Sequence, residues 1–202
     1  MSTQRVALTL LPVATRSETA AATRQSLLEA ACALLDAGGP EAVTLREVGA
    51  RTGVSRSAPY RHFADKDALL TALATNAVRE LGDTLEALAS SDDPSGQCLR
   101  AALLSLVTIG RAKPHLYRLM FTTPAGDPTA AVQAAERTWD LFIDIVGRVV
   151  GPEHARHYGA LLLTNAHGIA SLEGSGHLVY DKWQITAEEL VDMVVSLLPA
   201  AP

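Results

Sequence analysis

From about Glu18 onward, apolar side chains return every three or four positions, and no run alternates every two as a strand would. Leu27, Leu28, Ala31, Leu34 and Leu35 form one stripe along a helix of 3.6 residues per turn. Gly38-Gly39-Pro40 should end it, since glycine takes the left-handed stop and proline cannot continue a helix. Thr44 opens a short helix, spaced with Glu47 for a reciprocal capping box. Gly53 interrupts it, and a second short helix is expected from about Ser55 to His62. Asp65 then caps a long helix through Leu88.

"ASSDDPSGQ", from Ala89 to Gln97, is the clearest linker by composition. Beyond it, helical stretches are expected near 97–112, 115–121, 128–149, 153–179 and 186–198. Lys113-Pro114, Asp127-Pro128 (an N-cap with proline at N1), Gly151-Pro152 and a second capping box at Thr186 and Glu189 punctuate them. There is no repeat of the length that marks a solenoid. The pattern predicts an all-α fold.

Two short helices around a glycine turn, set between longer helices, are the arrangement of a helix-turn-helix. Gly53 supplies the positive φ of the turn. Leu45, Val48, Val54 and Phe63 are spaced to share one small core, and Gly49 permits the second helix to approach the first. The expected organisation is a flexible arm over 1–17, a helix-turn-helix domain over 18–66, and a larger helical domain over 67–202.

Composition narrows this picture. The 202 residues are 48% hydrophobic and 19% charged, which suits a folded chain with a sizeable core. No apolar run approaches the ~20 residues of a spanning helix. Arg5 followed by "VALTLLPVA" imitates a signal peptide, but Thr9 and Pro12 break the run and no small-x-small site follows, so it reads as an arm. Cys32 and Cys98 are too few for a disulfide framework, and a reducing, cytoplasmic setting is expected. Cys32 reads as a buried apolar thiol, with Cys98 left as a redox candidate.

Charge changes the picture most. The chain is formally −5, yet residues 44–66 are +3: Arg46, Arg51, Arg56, Arg61 and Lys66 stand against Glu47 and Asp65. Residues 1–43 are −1 and residues 67–202 are −7. An acidic chain with one local basic face suits a specific reader of double-stranded DNA better than a protein that coats nucleic acid. Ser55, Arg56 and Ser57 fall at the N-terminus of the second short helix, the part presented to base edges in the major groove. Arg56 has two donors for guanine O6 and N7. Tyr60, Arg61, His62 and Lys66 lie where donors meet phosphates, and Arg46 joins the DNA-facing set.

"TLREVGARTGVSRSAPYRHFADKDALL" strongly resembles the DNA-binding domain of the tetracycline-repressor (TetR) family of bacterial regulators. The likeness runs from about Arg24 to Leu81. It implies that Thr44, Tyr60, His62 and Lys66 contact phosphates and that Arg56 and Ser57 read bases. Two positions depart from the family pattern: Gly49 stands where alanine is usual, and Pro59 replaces a bulky residue before the tyrosine. The missing N–H of Pro59 should disturb the bond back to Ser55 and make the start of the helix irregular.

In proteins resembling this one, the larger part binds a small ligand and forms a homodimer through its last two long helices. A two-fold dimer would present two recognition helices ~34–36 Å apart to a palindromic operator. "YGALLLTNAHGIASLEG" is almost uncharged, with Gly159, Ala160, Ala166, Gly168, Ala170 and Ser171 small enough for close helix approach. "AEELVDMVVSLL" sets Leu190, Val191, Val194, Val195 and Leu198 on one broad face, a pattern that a buried core would also show. "NAHGIASLEG" is similar to a motif of a TetR subgroup in which a His-Gly pair follows a tryptophan; Leu163 holds the tryptophan position here.

A ligand pocket is expected among Tyr117, Met120, Phe121, Trp139 and Phe142, with Thr164, Asn165 and His167 as its polar groups. That lining suits an unknown lipophilic or aromatic small molecule that releases a repressor from its operator. A ligand-independent DNA-binding or adaptor protein is the alternative. An enzyme is the other rival: His154 and His157, with Glu153 beside them, suggest metal ligands three apart on a helix, but the third ligand and general base of an H-E-x-x-H arrangement are absent. "EGSGHL" suggests a nucleophile elbow but has no preceding strand. No catalytic site, cofactor, metal or membrane contact is expected.

Overall fold

The computed structural model describes residues 15–124 and 128–199. Among them there are ten helices and no strand: α1 Arg16–Ala42, α2 Leu45–Thr52, α3 Ala58–His62, α4 Lys66–Ala89, α5 Ser95–Ala112, α6 Pro114–Met120, α7 Thr129–Val150, α8 Ala155–Gly174, α9 Tyr180–Trp183 and α10 Ala187–Ser196.

Local chemistry explains most boundaries. Helix α1 starts two residues earlier than its apolar stripe suggests, because Thr15 and Glu18 form a complete capping box. Most of the expected arm, residues 1–14, lies outside the described residues. The stop at Gly38-Gly39 is a kink with Gly39 at φ 69°, after which one short turn runs to Ala42. The Thr44 hydroxyl accepts from the Glu47 N–H (3.1 Å), but Glu47 makes no return bond, so only half of that box exists. Gly53 closes α2 in the left-handed region at φ 68°.

The second short helix differs from expectation. It begins at Ala58 rather than Ser55, leaving Ser55–Ser57 in a turn. Proline at the second helical position has no N–H to return to Ser55. Downstream, Asp65 caps α4 by accepting from the Ala68 N–H (2.8 Å). The Asp127 cap lies outside the described residues. The stretch expected as one helix over 153–179 ends at Gly174; a turn, α9 and Gln184 at φ 53° follow before the Thr186–Glu189 capping box starts α10.

Two cores sit along one rod. Leu27, Leu28, Ala31 and Leu35 of α1, with Val43, Val48 and Phe63, pack onto Leu69, Leu73 and Ala77 in the first half of α4. Leu81 and Leu85 in its second half join Leu99, Leu103 and Leu106 of α5, Ile145 and Val146 of α7, Leu162 of α8 and Val191 of α10. Helix α6 serves both cores: Leu116 packs into the first and Tyr117, the next residue, into the second.

Helices α4 and α7 cross closely at Gly82, where any Cβ would stand 2.7 Å from the Thr138 hydroxyl oxygen. Thr138 is fully buried, and its hydroxyl lies 3.0 Å from the Val78 carbonyl and 2.8 Å from that of Ala134. Arg137 adds ion pairs to Asp83 (2.9 Å) and Glu86 (2.6 Å) on α4.

The thiols exchange their expected places. Cys98 is the buried one, 2% exposed and bonded within the α4–α5 turn, whereas Cys32 is half-buried beside Asp36 and Lys113. Burial pushes the Cys32 thiol pKa up.

Candidate DNA-binding face and ligand site

The basic segment is held from behind by the first core. Leu45, Val48 and Phe63 are buried and Val54 partly so, which turns the polar residues between them outward. Thr44, Arg46, Ser55, Arg56, Ser57, Tyr60 and Arg61 are exposed, while His62 and Lys66 are half-buried. Tyr60 keeps 58% of its surface open, high for so large a ring, and has no polar partner among the described residues.

Two concave surfaces organise these side chains. Arg46, Arg56 and Tyr60 line one, with Gly49 and Ala50 at its floor. Ser55, Arg61 and His62 line the other together with Arg16 and Thr19 from the first turn of α1. The Arg61 guanidinium reaches back to Ser55 Oγ (3.4 Å), which lies 3.5 Å from Ser57 Oγ. Lys66 sits 3.5 Å from Glu41, a carboxylate left almost wholly in water. Such an exposed pair is weak and holds the ammonium loosely.

Arg16 is a cation that pattern reading assigned to the arm. The Thr15-x-x-Glu18 spacing was its available signal, since that box makes Arg16 the first helical residue and sets it beside the turn. Gly49 and Pro59, which look like two separate departures from the family pattern, are in fact neighbours. A Cβ on residue 49 would stand 2.8 Å from Pro59 Cγ. Pro59 itself is buried against α2.

In the second half, Tyr117, Phe121, Trp139 and His167 come together. The Tyr117 hydroxyl lies 3.1 Å from His167 Nδ1, with the rings stacked at 5.5 Å, and Phe121 meets the His167 ring edge-on at 4.7 Å. Trp139 stands 6.2 Å from Phe121. Burial raises the Tyr117 pKa to about 12, so the phenol stays protonated at any physiological pH. Phe142 is inside the core, 2% exposed. Thr164 and Asn165 turn back on their own helix, bonding the carbonyls of Ala160 and Leu161.

Open space lies next to this cluster. A cavity of about 250 Å³ separates α4 from α7 and from the end of α6. Leu70, Ala74, Val78, Leu119, Met120 and Ala135 are among its walls, so Met120 is the residue it shares with the expected pocket.

The apolar face expected on α10 is used inside the chain: Val191 is buried, and Leu190, Val194, Val195 and Leu198 pack on the second core. Gly159, Ala166 and Ala170 of α8 are buried too. What remains open is the other side, with Leu161 and Leu172 on α8 and Met193 and Leu197 on α10, each half or more exposed. Arg111 clamps the connection between these helices, bonding Glu173 with two nitrogens (3.0 and 2.8 Å) and Glu188 with the third (2.9 Å).

His154 and His157 are exposed at the start of α8, with Glu153 3.8 Å from His154. Among the described residues no three His, Cys, Asp or Glu side chains are grouped to hold a metal ion. Ser175 Oγ is 3.0 Å from His177 Nδ1, but both are exposed and the hydroxyl donates to the Leu172 carbonyl. None of the described helices is long and apolar enough to cross a membrane.

Comparison with known proteins bears on both halves. Residues 27–73 match the model of bacterial regulatory proteins of the tetR family, and residues 99–198 match that of the tetracyclin repressor-like C-terminal domain. An HTH-type transcriptional repressor of Mycobacterium tuberculosis is 33% identical over 102 residues, 48% of this chain and 52% of the relative. The chain thus spans about half the length of the curated relatives it matches. A solved protein of unknown function from Rhodococcus sp. RHA1 superposes with a TM-score of 0.71 at 28% identity, covering 86% of this chain and 92% of that one. A TetR variant from Acinetobacter baumannii AYE in complex with minocycline shares the fold, with a TM-score of 0.60 at 22% identity over 85% of this chain and 93% of that one.

Proposed function

This chain belongs to the TetR family of bacterial regulators, and on that premise we propose that it is a sequence-specific DNA-binding regulator: a cytoplasmic homodimeric repressor released from a palindromic operator by a small molecule. The observation that carries the reading is the outward face of the helix-turn-helix. Arg46, Arg56 and Tyr60 line one concave surface, and Arg16, Ser55, Arg61 and His62 the next, on a chain that is otherwise acidic. A rigid core holds them, and the side-chain contacts of Arg61 with Ser55 and of Lys66 with Glu41 are long and exposed, so binding DNA breaks few strong internal bonds.

Arg56 reads a base edge from the turn before α3, Ser55 and Ser57 stand beside it, and Thr44, Tyr60, His62 and Lys66 set register on phosphates. Leu161, Leu172, Met193 and Leu197 supply the face on which two copies meet. The minocycline complex of a protein with the same fold supports a small-molecule ligand. A ligand acts through α4, whose first half carries the reading unit and whose second half lies in the core of the helical unit. Its effect is bounded by its difference in affinity for the two arrangements. The role is regulatory rather than enzymatic.

Fluorescence anisotropy on the DNA upstream of its own gene tests this, with unrelated DNA as control and salt titrated. Selective binding with a steep log–log salt slope is expected. Arg56→Ala should relax preference at one position per half-site, at a cost of ~1–3 kcal/mol. Lys66→Ala should weaken all sequences alike and lower the salt slope by about one. Uniform loss from both variants would refute the assigned roles.

A further inference from the structure

The chemistry of the cavity between α4 and α7 restricts what can fill it. Its walls are mainly apolar: Leu70, Ala74, Val78, Leu119, Met120 and Ala135. Its polar contributors are Asp67 and the threonines 71, 75, 122 and 123, and among the described residues no lysine, arginine or histidine lines it.

Hydrogen-bond accounting gives these groups a direction. A threonine hydroxyl has one proton to donate. Thr75 donates its proton to the Thr71 carbonyl (2.8 Å), and Thr122 donates its own to the Arg118 carbonyl (2.9 Å). Both hydroxyls have committed their proton and can only accept. Asp67 is exposed, and its carboxylate too can only accept. Thr75, Thr122 and the Asp67 carboxylate thus offer this space three acceptor groups, one of them a carboxylate.

Resting on the ligand-responsive reading above, we propose that this cavity is the ligand site and that it takes a compact apolar molecule ending in a hydrogen-bond donor, a protonated amine above all. Carboxylates and phosphates are disfavoured, since they would set acceptor against acceptor and charge against Asp67. The size follows from the volume: a 150 Å³ apolar cavity holds benzene, so about 250 Å³ takes a skeleton of roughly two fused rings.

The aromatic cluster beside it is a poorer candidate. There Tyr117, Phe121 and His167 already contact one another and the Tyr117 hydroxyl has a partner. Leu70, Leu119 and Met120 line the cavity and also pack on the first core. A molecule lodged here touches the side chains that support the DNA-reading helices.

The test uses two probes of matched skeleton, 1-naphthylmethylamine and 1-naphthoate, titrated by calorimetry into the full-length protein without DNA. The amine should bind at least tenfold more tightly. Asp67→Asn, an exposed replacement of similar shape, should cut that preference about tenfold, and Ala135→Phe should abolish amine binding by filling the space. Equal or stronger binding of naphthoate, no binding of either probe, or a preference unmoved by Asp67→Asn overturns the assignment.

Anisotropy on DNA separates the two readings. A protein that takes the amine but holds its DNA unchanged contradicts ligand release and leaves this site standing. One that binds DNA but prefers naphthoate does the reverse.

Discussion

Gly49→Ala isolates the contact between the two helices of the reading unit. In an exposed helix, alanine in place of glycine stabilises by up to ~1 kcal/mol. Here the new Cβ would stand 2.8 Å from Pro59 Cγ, well inside carbon–carbon contact distance. The obstacle is a ring, not the end of a flexible chain, and Pro59 is buried where it cannot swing away. Overpacking of this kind costs ~1–3 kcal/mol. The variant should therefore lose about 1 kcal/mol net rather than gain it.

Pro59→Ala removes the ring and restores an N–H, so the double variant Gly49→Ala/Pro59→Ala should be more stable than the sum of its parts by at least ~1 kcal/mol. Urea unfolding of all four proteins reads this, with midpoints compared at unchanged slope. If Gly49→Ala alone stabilised by the full helix-propensity gain, or if the two changes added within ~0.3 kcal/mol, the proposed contact would not exist in solution.

Three other outcomes are expected. Leu161→Glu with Leu172→Glu on the open face of α8 should turn a dimer into a monomer in light scattering while circular dichroism stays unchanged; a persistent dimer would place the interface elsewhere. Arg111 holds the Glu188 carboxyl below its usual pKa, so this contact stabilises the fold above the unfolded-state value near ~4.3 and is lost as pH falls through the lower folded value. The urea midpoints of the native protein and Arg111→Met should accordingly differ at pH 7 and converge as pH drops below about 4; a gap independent of pH would refute the role of the ion pair. With a thiol reagent, Cys32 should react in the native protein, more slowly at neutral pH than a free thiol because its raised pKa leaves less thiolate, whereas Cys98 should wait for unfolding.

The helix-turn-helix was legible in the sequence because its information is local. Cap, turn and core residues recur at fixed spacing from Thr44 to Phe63, and side-chain type alone separates the inward set from the outward set. What escaped was relational. The apolar stripe of α10 looked equally fit for another copy or for its own chain, since periodicity marks a buried face without naming its partner. Gly49 and Pro59 are ten positions apart, and nothing in either residue announces that they touch. A cavity is missing atoms, which no list of residues contains. Tyr117 and His167 drew attention as aromatic and polar, yet the space lies beyond them, between threonines, alanines and leucines that carry no signal one by one.

The split of α6 between two cores bears on how freely such proteins can exchange parts. Leu116 fills the underside of the reading unit while belonging, by chain order, to the other half. A fragment ending with α4 would leave that site empty and expose leucines of α1 to water. Grafting this reading head onto a related helical body would work only if α6 came with it, or if the new body carried a leucine at the same place. The boundary across which these halves could be shuffled therefore does not follow the linker after α4: it runs along one face of a seven-residue helix.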